Sequence, residues 1–223
     1  MNQARWPGRQ RSALEAVPAT TLIAGGTALV SALISLLGRE GEASVTAGFV
    51  PATVLNALSA PDGLFLLPVW ITPLTATLVH AGFLHLGFNL FLLAYCGRLL
   101  ERTIGAWGLV MLYVAGAYLA AAGEWALGPN AAVPMIGASG AISALVGGYA
   151  LLFANQRVPK IGPVPERAVR IAWLLAAWVA IQLLVGVASQ AGGPTIAIGA
   201  HIGGFVAGLL LARPLLLWRY RNA

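Results

Sequence analysis

Six stretches of roughly 20 apolar residues run through this chain, and that is the length of α-helix needed to cross a hydrocarbon core of about 30 Å. They lie at about 18–38, 84–104, 107–127, 137–155, 170–190 and 196–216. Backbone groups in lipid must be satisfied within their own segment, so apolar stretches of this length fold as helices. Only 9% of the 223 residues are charged, where a soluble domain carries roughly 25%. The expectation is an all-α membrane protein, a single bundle of six transmembrane helices joined by mostly short loops.

The distribution of charge orients that bundle. With the N-terminus in the cytoplasm, Arg5, Arg9, Arg11, Arg98, Arg102, Arg157, Lys160, Arg167, Arg170, Arg213, Arg219 and Arg221 all fall inside. Arg39 alone of the 13 basic residues falls outside. Such asymmetry sets topology, and an even number of spans returns both termini to the cytoplasm. The net charge of +6 is therefore read as topology, and no nucleic-acid partner is expected. No convincing small-residue cleavage site follows Leu37, so the first span is expected to be retained and not removed as a signal peptide. Trp6, Trp218 and Tyr220 stand where an interfacial aromatic belt would be.

The expected organisation is a cytoplasmic N-terminal segment at 1–17, a membrane domain at 18–216 and a cytoplasmic tail at 217–223. The connection at 39–83 is a long outer loop carrying Pro51, Pro61, Asp62, Gly63, Pro68 and Pro73 among Phe49, Phe65 and Trp70. A loop this long and apolar is expected to embed in the membrane interface. No internal repeat of the kind transporters carry is evident. The lone Cys96 excludes an intramolecular disulfide and reads as a packing residue.

Ionisable and amide side chains inside spans are costly and mark function. Four stand out: His85, Asn89, Ser139 and His201. His85 and Asn89 are four apart and share one face of the second span. Ser139 opens the fourth span within Gly137-Ala138-Ser139-Gly140, and His201 lies near the start of the sixth within Gly199-Ala200-His201-Ile202-Gly203-Gly204. On the topology above, the second, fourth and sixth spans all run inward, so the four residues converge at similar depth below the outer surface.

Acyl transfer suits that set. A serine hydroxyl becomes nucleophilic when a bonded imidazole takes its proton, and the resulting oxyanion needs donors already aimed at it. Ser139 and His201 supply the catalytic pair. The backbone N–H of Ser139 at a helix N-terminus, with the side chains of His85 and Asn89, supplies an oxyanion hole. Gly137 and Gly140 would let a substrate backbone approach closely. Glu101, 16 residues beyond His85 or roughly 24 Å along a helix, is too deep to orient His201 and reads as part of an interfacial charge cluster with Arg98 and Arg102. Glu124 is the one acid at about the right height, and a Ser-His dyad is favoured over a triad. His80 is expected to make a structural hydrogen bond. Three histidines without a carboxylate at their depth make a poor metal set, so neither metal nor cofactor is expected.

These residues resemble the rhomboid family of intramembrane serine proteases. The resemblance runs from about Trp70 to Gly208, on His80-Ala-Gly-Phe-Leu-His85-Leu-Gly-Phe-Asn89, Gly97-Arg-Leu-Leu-Glu101-Arg-Thr-Ile-Gly105, Gly137-Ala-Ser139-Gly140 and Ala200-His201-Ile-Gly-Gly204-Phe-Val-Ala-Gly208. It implies a six-helix core, a Ser139/His201 dyad with no third acid, an oxyanion hole using His85 and Asn89, and substrates that are single-span membrane proteins. It also implies a Gly-xxx-Gly contact of Gly204 and Gly208 against the fourth span. Two departures stand out: Ile71 follows Trp70 where the family often has arginine, and Ser143 stands where the family commonly stacks an aromatic on the histidine.

The function expected is hydrolysis of peptide bonds in transmembrane segments, with the site facing outward from a bacterial inner membrane. Substrates whose helices unwind readily through Gly, Ala or Ser would expose such bonds. A catalytically silent rhomboid-like binding protein and a small transporter are the alternatives. Ser139→Ala would leave uptake by a transporter intact, and a silent binder would hold clients without cleaving them.

Overall fold

A computed structural model describes residues 17–55, 64–153, 162–188 and 197–222. The basic N-terminal residues with Trp6, then Pro61, Asp62 and Gly63, and Arg157 with Lys160 lie outside them. The fold is helical, with an isolated antiparallel bridge between Phe49 and Met135. The helices are α1 (Pro18–Leu36), α2 (Glu40–Ala47), α3 (Thr72–Thr75), α4 (Gly82–Leu127), α5 (Ser139–Leu152), α6 (Glu166–Ala188) and α7 (Ile198–Arg219). Among the described residues α1, α4 and α7 are each long and apolar enough to cross a membrane.

The 46 residues of α4 would make a straight rod of about 69 Å, more than twice the hydrocarbon thickness. It is not straight, because Gly105 breaks it with φ 81° and ψ 165°. That left-handed φ is one an L side chain rarely adopts. The break frees carbonyls on the preceding turn, and the Arg219 guanidinium at the end of α7 donates to those of Glu101 and Arg102 at 3.3 and 2.6 Å.

The start of α1 is held at this same end of the bundle. Pro18 occupies the first turn, where a missing N–H costs nothing. The Glu101 carboxylate accepts from the Ala19 and Thr20 amides at 3.0 and 2.8 Å and from the Thr20 hydroxyl at 2.6 Å. Glu101 is therefore a buried helix cap, and the interfacial cluster with Arg98 and Arg102 expected for it is not what the fold uses it for. A carboxylate at a helix N-terminus meets both orphan donors and the positive end of the dipole. At its other end α1 closes with Gly38 at φ 63°, and the Arg39 and Gly38 amides return to the Ile34 and Ser35 carbonyls. That is the Schellman pattern.

Glycines set the spacing of α4, α5 and α7. A methyl group at Gly204 would collide with the Gly140 carbonyl oxygen, one at Gly208 with that of Ala144, and one at Gly147 with that of Phe205. On the other flank of α7, a methyl at Gly203 would strike the Leu119 carbonyl. Backbones in membranes approach this closely only through small residues. The Gly204 and Gly208 contact with α5 is thus present as anticipated.

With ten of its 14 residues buried, α5 lies at the centre of the molecule. Its 14 residues make about 21 Å of helix, shorter than the stretch of 137–155 suggested by hydropathy alone. The loop at 39–83 is also more structured than apolarity alone indicates. It carries α2, α3 and two 3-10 turns, and it pairs with the segment that leads into α5 through Phe49 and Met135.

Candidate active site

Three helix beginnings meet at the end of the bundle opposite Glu101. The fourth residue of α4 is His85, the first of α5 is Ser139 and the fourth of α7 is His201. The turn before Ser139 is built by two amide contacts. The Gly137 N–H donates to the Ala76 carbonyl at 2.9 Å, and the Ala138 N–H to His80 Nε2 at 3.2 Å. With Nε2 accepting, the His80 proton sits on Nδ1 and is donated to Ser31 Oγ at 2.9 Å. The Ser31 hydroxyl in turn donates to the Leu78 carbonyl at 2.7 Å. The structural role expected of His80 takes this form: a relay from α1 to the residue before Ser139.

As the first helical residue, Ser139 presents an N–H that has no acceptor within the helix. Its hydroxyl lies 2.9 Å from His201 Nε2, and both residues are buried, at 7% and 3% exposure. For Nε2 to accept the serine proton, the imidazole must carry its own hydrogen on Nδ1. Among the described residues, Nδ1 has no hydrogen-bond partner. The acid that would occupy that position in a triad is elsewhere: Glu124 accepts from the Ala200 amide at 3.1 Å and so caps α7.

His85 leans over Gly137. A methyl group on Gly137 would stand 2.9 Å from His85 Nε2 and 3.8 Å from Ser139 Oγ, so the imidazole and the hydroxyl border one small space. Gly137 also holds φ 105°, so both its conformation and its lack of a side chain are needed. Asn89 sits one turn deeper and is buried. Its amide nitrogen donates to the His85 carbonyl at 2.9 Å, and its Oδ1 has no partner among the described residues. The structure thus brings Ser139, His201 and His85 together, with Asn89 joined to them through His85.

Trp178 was not among the residues singled out from sequence. It comes from α6, is 3% exposed and meets the His201 ring edge-on, with centroids 6.2 Å apart and planes at 71°. Its Nε1–H donates to Ser143 Oγ at 2.6 Å. In a helix that is apolar nearly all round, nothing in the local pattern separates this tryptophan from Trp173, which is exposed.

The model of the Rhomboid domain matches residues 68–218. The chain belongs to the rhomboid family. Among similar proteins, the rhomboid protease GlpG of Serratia proteamaculans is 32% identical over 137 residues, 60% of this chain and 44% of that protein. GlpG of Enterobacter sp. strain 638 is 28% identical over 205 residues, 87% of this chain and 62% of that protein. The chloroplastic rhomboid-like protein 11 of Arabidopsis thaliana is 40% identical over 78 residues, 35% of this chain and 28% of that protein. The matched stretches span about half the length of these GlpG relatives. Family and helices together make this rhomboid an integral membrane protein.

Proposed function

We propose that this rhomboid is an intramembrane serine endopeptidase using Ser139 as nucleophile and His201 as general base. One observation carries the reading: a serine hydroxyl at a helix N-terminus lies 2.9 Å from an imidazole nitrogen, and both are buried among spanning helices. Polar groups so placed are costly unless used.

The Ser139 oxygen attacks the scissile carbonyl carbon while its proton passes to His201 Nε2. The tetrahedral oxyanion is held by the Ser139 N–H with His85 and Asn89, whose side chains serve as donors once the amide of Asn89 turns from the His85 carbonyl. Collapse breaks the C–N bond, and the proton on Nε2 goes to the leaving amine. Water, deprotonated by the same imidazole, then hydrolyses the acyl-enzyme. No cofactor enters the cycle.

The break at Gly105 supports counting α4 as two spans, which with α1, α5, α6 and α7 makes six. The start of α1 and the end of α7 share the end of the bundle that holds Glu101 and Arg219, in keeping with both termini being cytoplasmic and the dyad facing outward from a bacterial inner membrane. Substrates are single-span membrane proteins whose helices unwind at Gly, Ala or Ser.

The test is cleavage of a model single-span substrate in proteoliposomes by wild type, Ser139→Ala and His201→Ala. Each variant should lose at least about 10³-fold in kcat. Equal cleavage by all three would remove the dyad, and no cleavage by any, with substrate still bound, would leave a silent binder.

A further inference from the structure

The base of the dyad needs a fixed plane, and among the described residues hydrogen bonding holds it at one nitrogen alone. His201 Nε2 faces Ser139, while Nδ1 lacks a partner among the described residues. An imidazole held at one nitrogen alone can still rotate about that contact, so its orientation must come from packing.

The packing partner is Trp178, edge-on to the imidazole. Trp178 is itself tightly defined. Phe88 of α4 stacks on it with centroids 6.4 Å apart and planes at 18°, and its Nε1–H is bound by Ser143. Ser143 lies one turn beyond Ser139 on α5, fully buried, and its own hydroxyl donates to the Ser139 carbonyl at 2.7 Å. Four contacts therefore close a circuit from Ser139 to His201, to Trp178, to Ser143 and back to Ser139. Ser143 occupies the position from which an aromatic on α5 would otherwise reach the histidine. Here that position holds a small hydroxyl, and the aromatic arrives from α6 and is anchored by that hydroxyl.

We propose that Trp178 is a positioning residue for His201, with Ser143 as its anchor, so that α6 supplies a third element of the site. The inference rests on the reading of Ser139 and His201 as a catalytic dyad. Trp178 touches the base and has no part in bond making.

The experiment uses purified full-length protein in detergent and two readouts: steady-state cleavage of a single-span model substrate, and the rate at which a small isocoumarin acylates Ser139 by opening its ring ester. The probe is too small to need the substrate's route of entry. Trp178→Leu should lower kcat by about 30-fold, within the range set by loss of near-attack geometry, with KM within twofold and acylation slowed by the same factor. Ser143→Ala, which frees the indole without opening a cavity, should lower kcat by roughly fivefold on the same argument. Combined with Trp178→Leu, it should add nothing further. Introducing Ser143→Tyr into Trp178→Leu, which returns an aromatic from α5, should recover much of the lost acylation rate.

Wild-type kcat and acylation in Trp178→Leu would overturn the inference, as would a loss confined to KM or the absence of rescue. If Trp178→Leu fails to fold, Ser143→Ala decides the matter alone: unchanged acylation overturns the inference and slowed acylation supports it. A wild-type protein that neither cleaves substrate nor is acylated by the probe would instead overturn the dyad reading, and this inference with it.

Discussion

Gly204 lies against the Gly140 carbonyl with no room for a methyl group between them, three residues after His201 and one after Ser139. The separation of Ser139 and His201 is thus set by two backbones in contact, with no side chain between them to absorb an error.

Gly204→Ala should therefore act on activity before it abolishes folding. Overpacking a tight contact costs about 1–3 kcal/mol, and pushing α7 from α5 lengthens the 2.9 Å contact that proton transfer requires. We expect at least a tenfold loss in kcat, with a lower midpoint of thermal unfolding in detergent. An alanine variant of full activity would show that α5 and α7 do not set the dyad spacing.

Glu124→Gln separates a cap from a triad. The amide oxygen can still accept from the Ala200 N–H, so the variant should keep activity within about threefold of wild type. Loss of the orienting carboxylate in a triad lowers kcat by about 10⁴-fold. A collapse of that size would mean that Glu124 serves His201 after all.

The relay from Ser31 through His80 to Ala138 predicts coupling between distant positions. His80→Ala should cost about 2 kcal/mol of stability through the buried Ala138 N–H it leaves without an acceptor and lower kcat at least several-fold. Ser31→Ala should do less. The double variant should fall short of the sum of the two, measured by unfolding and by cleavage. Strict additivity would argue that the two residues are not energetically linked.

Glu101→Ala should loosen α1. Three donors lose their acceptor, at a cost of about 2–3 kcal/mol, while the dyad at the opposite end is untouched. The expected signature is faster protease nicking near residue 18 with kcat retained in the folded fraction. A loss of kcat larger than the loss of folded protein would point to coupling between the two ends.

What was legible in the sequence follows a physical rule. Polar residues stranded in apolar stretches are conspicuous, and His85, Asn89, Ser139 and His201 were found that way. A tryptophan in an apolar helix is not conspicuous, and Trp178 was therefore missed. Glu101 was noticed but assigned to its neighbours in sequence, because the α1 amides that bind it lie 81 and 82 residues away. The limits of α5 were blurred for a similar reason: hydropathy runs on through residues that the helix leaves out.

The shortness of α5 has a consequence for the solvent. A helix of 14 residues falls about 9 Å short of a 30 Å hydrocarbon slab. A lipid-facing helix would meet such a deficit by thinning the bilayer. α5 is mostly buried in protein, so its deficit falls to the bundle and not to the lipid. The hydrolysis proposed for Ser139, the first residue of α5, needs a supply of water, and a short buried helix is a means of providing it.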